Sequence, residues 1–202
     1  MIKKFIIFVV LCISCLLLWM SNNYINFSSK QIKVKPSQDV VIDTENAILN
    51  LSESITYKTI SYEDSSKFDA VTFLSFHKFL KRTFPIAFNK LTERIYSDYS
   101  ILLKWETENE SPLNPILIMA HMDVVPAEDI DSWSKNPFSG DVVDGYVWGR
   151  GTIDDKSSLM AILESVEYLL SKDFISNRDI YFSFGHDEEN SGDEGNAVIA
   201  KS

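Results

Sequence analysis

Pro115-Ile116-Leu117-Ile118-Met119-Ala120-His121-Met122-Asp123 is the stretch on which the reading of this chain turns. An unbroken apolar run from Ile116 to Ala120, entered from a proline, predicts a short strand buried on both faces, as in a parallel sheet. His121 follows the run directly. Ligand sites in α/β sheets form where strands end, which makes His121 a candidate functional residue. Asp123 lies two residues on and shares a side with His121 in extended geometry. A carboxylate there can orient the imidazole.

Toward the C-terminus, Leu159, Ile162, Leu163, Val166, Leu169 and Leu170 share one face of a helix predicted over 156–171. Asp179 to Phe184 alternates as a strand, and Gly195 to Ala200 starts another helix. Toward the N-terminus, Ile95 to Trp105 reads as a strand. Val71, Leu74, Phe76, Phe79 and Leu80 predict a helix over 69–83, with Asp69 as N-cap and Pro85 as stop. His77, on that helix, has no second ligand beside it and is read as a surface or packed histidine. Ala47, Leu49, Leu51 and Ile55 suggest one more short helix. Strands alternating with helices predict an α/β layered domain with a mixed sheet. The strands ending at His121 and Phe184 are expected side by side.

The chain has 202 residues, enough for one domain or for an anchor plus most of one. Its net charge of −10 argues against nucleic acid as a partner. The acidity is confined to residues 121–202, with 17 Asp and Glu against 6 Lys and Arg; residues 1–120 carry 12 against 13. Both cysteines, Cys12 and Cys15, lie near the N-terminus, so a metal site elsewhere must use His, Asp and Glu.

Met1-Ile-Lys-Lys precedes 16 uncharged residues, Phe5 to Met20. This pattern is a secretory signal, cleaved or kept as an anchor. Small residues suited to cleavage are missing around Trp19, Met20, Asn22 and Asn23, which favours an anchor within residues 1–21. Residues 22–47 are polar and aperiodic and read as a linker. The globular part, 48–202, is expected on the lumenal or extracellular side, with residues 5–20 engaging the membrane.

Two further clusters carry chemistry. Trp148-Gly-Arg-Gly-Thr-Ile-Asp154-Asp155-Lys156 places two acids at a helix start behind a glycine-rich loop. Taken alone, Asp154 or Asp155 reads as an N-cap. Phe184-Gly-His-Asp-Glu188-Glu189 sets three acids in a row after a strand. Such a row is costly unless hydrated or coordinated. One acid can bind a metal while its neighbour accepts a proton from water.

In order and spacing, AHMDVVP, then Trp133 with Pro137, Phe138 and Gly140, then WGRGTIDDK, then FGHDEE resembles the N-terminal half of the di-zinc aminoacylase/carboxypeptidase family of metallopeptidases. The DDK and GHDEE forms look most like its membrane-anchored or secreted branch, that of carboxypeptidase S and the N-fatty-acyl-amino-acid synthase/hydrolase. The resemblance implies a zinc-dependent hydrolase of amide bonds acting on a small peptide or an N-acyl amino acid. It implies metal-ligand roles for His121, Asp154 (bridging two zinc ions) and Glu189, a general-base role for Glu188, and an orienting role for Asp123. Family members are about twice as long and supply further ligands from their second half. The resemblance therefore implies a truncated catalytic domain, a fragment of the full enzyme. The alternative is an inactive membrane-anchored remnant or binding module.

Overall fold

The computed structural model describes residues 2–31, 40–108 and 111–202. The chain divides into two units, Met1–Val41 and Ile42–Ser202. In the first, Ile2–Ile25 forms helix α1, exposed throughout. Its 24 residues span about 36 Å, against a bilayer core of about 30 Å. Among the described residues it is the one helix long and apolar enough to cross a membrane. Of the segment read as a linker, residues 32–39 lie outside the described residues, and its last residues already belong to α2.

In the second unit, α2 (Thr44–Ile55) is capped by Asp43, whose carboxylate accepts from Asn46 N. Helix α3 (Ala70–Thr83) begins as expected, with Asp69 accepting from Val71 N and Thr72 N. Pro85 does not end helical structure here. It opens α4 (Pro85–Lys90), where a first-turn proline lacks only an N–H that has no partner inside the helix. The free amides of Ile86 and Ala87 donate to Glu167 of the long helix α5 (Ser157–Ser171).

The stretch from Ile95 to Trp105 is not one strand. It is a hairpin of β1 (Thr92–Tyr96) and β2 (Ser100–Trp105), turning through Ser97 and Asp98 at φ 47° and 64°. The aliphatic pattern hid a turn that carries no glycine. With β3 (Ile116–His121) and β6 (Ile180–Gly185) these strands form a mixed sheet in the order β1-β2-β6-β3. The pairs β1–β2 and β2–β6 are antiparallel, and β3–β6 is parallel. Val142–Val143 (β4) and Tyr146–Val147 (β5) make a separate small ribbon. Asn196–Ile199 forms the last helix, α6.

Ile101, Leu103, Trp105, Phe182 and Phe184 point from one face of the sheet into the core. There they meet Phe73, Phe76 and Phe79 of α3, Ala87 of α4, and Met160, Leu163 and Val166 of α5. Burial of such apolar area is the main stabilising contribution, at roughly 25 cal/mol per Å². One expectation fails: Ile116 to Met119 are not buried. β3 is an edge strand, and these four side chains are exposed. Its apolar run would suit a strand with neighbours on both sides, and here it has one.

Candidate metal centre

The parallel register pairs His121 with Gly185, so β3 and β6 end together, as expected from the sequence. Everything that follows hangs from those two ends. Beyond β3 the chain stays extended and pairs with residues 59–61 through Val124 N to Thr59 O and Ser61 N to Val124 O. That pairing brings the Ser61 hydroxyl to 2.7 Å from Asp123 Oδ2.

Asp123 is fully buried. Its Oδ1 lies 3.2 Å from His121 Nδ1 and accepts from Glu188 N at 3.1 Å; its Oδ2 accepts from Glu189 N at 3.0 Å. One carboxylate thus fixes the imidazole and clamps the turn carrying both glutamates. Burial disfavours its charge, but hydrogen bonds from His121, Ser61 and Glu189 outweigh that and hold it below the usual carboxylate range.

The other imidazole nitrogen, Nε2, lies 3.0 Å from Asp154 Oδ1 and 3.6 Å from Glu188 Oε2. Burial opposes a charge on His121. The hydrogen bond and charge of Asp123, with Asp154 and Glu188, prevail and lift it to about 9.

Asp154 arrives by a tight route. Gly151 sits at φ 82°, and a Cβ there would lie 2.2 Å from Val124 Cγ1, so only glycine fits. Neither aspartate is an N-cap: Lys156 holds that position of α5, which has no side-chain capping bond. The peptide bond between Asp154 and Asp155 is cis. Asp155 turns back to accept from His121 N at 3.3 Å. Lys156 is wholly buried, donating to Ser54 O at 2.9 Å and Tyr57 O at 2.6 Å, with its ammonium 4.9 Å from the centre of the Phe76 ring. Burial lowers it to about 7.

His121, Asp154 and Glu189 each offer a ligand atom, all within 4.8 Å of one another. Burial, followed by the charge of Asp154, raises Glu189 above the usual carboxylate range. A nitrogen and carboxylate oxygens converging at this spacing, with excess negative charge, fit a divalent cation such as zinc. Glu188 stands beside the group, its side chain about half exposed.

Three residues near the centre were given no role at it from the sequence. Ser61 carries no motif at all. Lys156 lies inside a motif, but nothing in its spacing announces burial. Asp155 supports His121 through the backbone. The remaining motif residues also serve the scaffold: His186 Nδ1 lies 2.7 Å from Ser100 Oγ, and Asp187 accepts from Glu194 N. His77 is packed, with Nε2 2.8 Å from Tyr99 O.

Residues 117–201 match peptidase family M20/M25/M40. The chain is 47% identical over 194 residues to the probable carboxypeptidase S-like 2 of Dictyostelium discoideum, covering 92% of this chain and 37% of that protein. It is 38% identical over 144 residues to the human N-fatty-acyl-amino acid synthase/hydrolase, covering 70% and 28%. The chain thus spans about a third of the length of the curated relatives it matches. The crystal structure of human carnosine dipeptidase 1 shares the fold with a TM-score of 0.58 at 18% identity, over 78% of this chain and 35% of that one. Its site motifs, its fold and these relatives agree: over residues 117–201 the chain matches the M20 peptidase family, and it is similar to members of that family over the part of their length that it spans.

Proposed function

We propose that residues 42–202 are the metal-bearing part of a zinc-dependent amide hydrolase, acting on the C-terminal bond of a small peptide or on an N-acyl amino acid. The supporting observation is the convergence of His121, Asp154 and Glu189. In this reading His121, Asp154 and Glu189 would hold the zinc. Bound zinc supplies electrophilic polarisation of the amide carbonyl and acidifies water.

The chain's own residues do the rest. Asp123 holds His121 by Nδ1, leaving Nε2 toward the metal. Among the described residues, none donates a hydrogen bond to the Glu188 carboxylate, and its backbone is pinned by Asp123. It takes the proton of the attacking water and delivers it to the leaving nitrogen. The similarity to a probable carboxypeptidase and to an N-fatty-acyl-amino acid synthase/hydrolase supports an amide as the bond cleaved. An anchor through residues 5–20 would hold this unit on the lumenal or extracellular side.

The test separates binding from turnover. In the full-length protein, Glu188→Gln is expected to keep zinc content and lose hydrolysis by at least about a hundredfold. Unchanged kcat would remove Glu188 as the base. Retained zinc in both His121→Ala and Asp154→Ala would remove the centre itself.

A further inference from the structure

The three loops that carry the candidate ligands are tied together by a segment that belongs to none of them, residues 54–62. It runs out of the end of α2 and lies outside the stretch 117–201 that matches the M20 family. It holds the Asp154 loop through the Ser54 and Tyr57 carbonyls, which accept from Lys156 Nζ. It holds the chain beyond β3 at three points. Thr59 Oγ1 donates to Met122 O at 2.6 Å, Val124 N donates to Thr59 O, and Ser61 N donates to Val124 O. It holds the glutamate turn where Asn190 Nδ2 donates to Tyr62 O at 3.1 Å.

These attachments bring one side chain to the middle of the centre. Ser61 is buried, with its Oγ 2.7 Å from Asp123 Oδ2 and 3.2 Å from His186 O. A hydroxyl has one proton to donate, and the nearer, charged acceptor takes it. Asp123 Oδ2 then holds the Ser61 and Glu189 donors, while Oδ1 holds Glu188 N and faces His121 Nδ1. Without the hydroxyl, Oδ2 is left with one of these two donors. A buried carboxylate short of a donor turns about its Cβ–Cγ bond toward those that remain. That rotation moves both oxygens, so it loosens the imidazole and the glutamate turn together.

We propose, resting on the zinc reading of this site, that Ser61 is a positioning residue of the metal centre. It fixes the Asp123 carboxylate and so aligns His121 and the Glu188-Glu189 turn on the metal. The centre thereby depends on a residue more than 50 positions before the family-matched stretch. Groups that orient a metal-bound histidine contribute about 10–100-fold to metal affinity. Ser61 stands one bond further out than Asp123, so about tenfold is expected.

The experiment uses the 202-residue chain in detergent as wild type, Ser61→Ala and Ser61→Thr, with His121→Ala and Asp154→Ala as controls. In EDTA, hydrogen exchange at the Glu188 and Glu189 amides should quicken by about tenfold in Ser61→Ala, while amides of the central strand β2 change less. Zinc affinity, by chelator competition, should fall about tenfold in Ser61→Ala. Threonine keeps the hydroxyl and should restore both readouts. Unchanged exchange at Glu188 and Glu189 would overturn the proposal. So would a rise there that merely matches β2, since that is general loosening. Zinc affinity unchanged in Ser61→Ala but lost in the two controls overturns the role of Ser61 alone. Zinc retained in both controls overturns the metal reading, and the role of Ser61 with it.

Discussion

Asp123→Asn changes one atom and removes the charge around which the centre is arranged. The carboxylate receives Ser61 Oγ, Glu188 N and Glu189 N and faces His121 Nδ1. An asparagine can place its NH₂ on only one of two sides. On the Oδ1 side it would confront both His121 Nδ1 and Glu188 N. On the Oδ2 side the Ser61 hydroxyl can rotate to accept, and Glu189 N alone is left facing another donor. The second arrangement is cheaper: one charge-assisted bond is lost and the others are weakened. Hydrogen bonds to a charged group contribute about 1.5–3 kcal/mol, so the expected loss of stability is about 2–4 kcal/mol.

Urea unfolding of the metal-free chain in detergent, followed by fluorescence of the buried Trp105, measures this loss directly. Asp123 is held below its unfolded value of about 3.9, so it contributes stability above that pH that is lost as pH falls through the folded value. The gap between wild type and variant should therefore close in acid. Zinc affinity should fall by about 10–100-fold, the usual consequence of removing the group that orients a metal-bound histidine. A variant within about 0.5 kcal/mol of wild type, with unchanged zinc affinity, would refute the clamp.

Other outcomes follow from the same geometry. His121 must lose its proton to bind metal and holds it up to about 9, so zinc affinity of the chain should rise about tenfold per pH unit between pH 6 and 8; chelator competition showing a flat profile would contradict this. Lys156 titrates near 7 when folded and near 10.5 when unfolded, so the unfolded chain binds more protons in that window and stability gains with pH. Lys156→Met should lose that gain, whereas the opposite slope from His121, between about 6.5 and 9, stays in both proteins; identical pH profiles would exclude the buried lysine. In carbonate extraction the intact N-terminus should stay in the membrane pellet, and a soluble product beginning after residue 20 would rule out the anchor.

Helices α3 and α5 were legible because each buries a single stripe, and a 3.6-residue period needs no tertiary information. The hairpin turn at Ser97-Asp98 was not, since its left-handed conformations fall on residues that do not demand them. The site residues could be nominated from type and order: His121 and Glu188-Glu189 stand at strand ends, and Asp154 follows a loop whose glycines permit a close approach. What brings them together is the parallel pairing of β3 with β6, a contact between segments some 60 residues apart that no local pattern encodes. The two roles of Asp123 likewise depend on tertiary structure, because its four partners come from three separate parts of the chain. Lys156 is the sharpest case. Its side chain type predicts exposure, and only the packing of α2 against the Asp154 turn closes water out and supplies two carbonyls in its place. For β3 the sequence and the fold disagree: composition specifies an interior strand, while the neighbours that would make it one are not among the described residues. Composition records what a segment is fit to touch, and tertiary structure decides what it does touch.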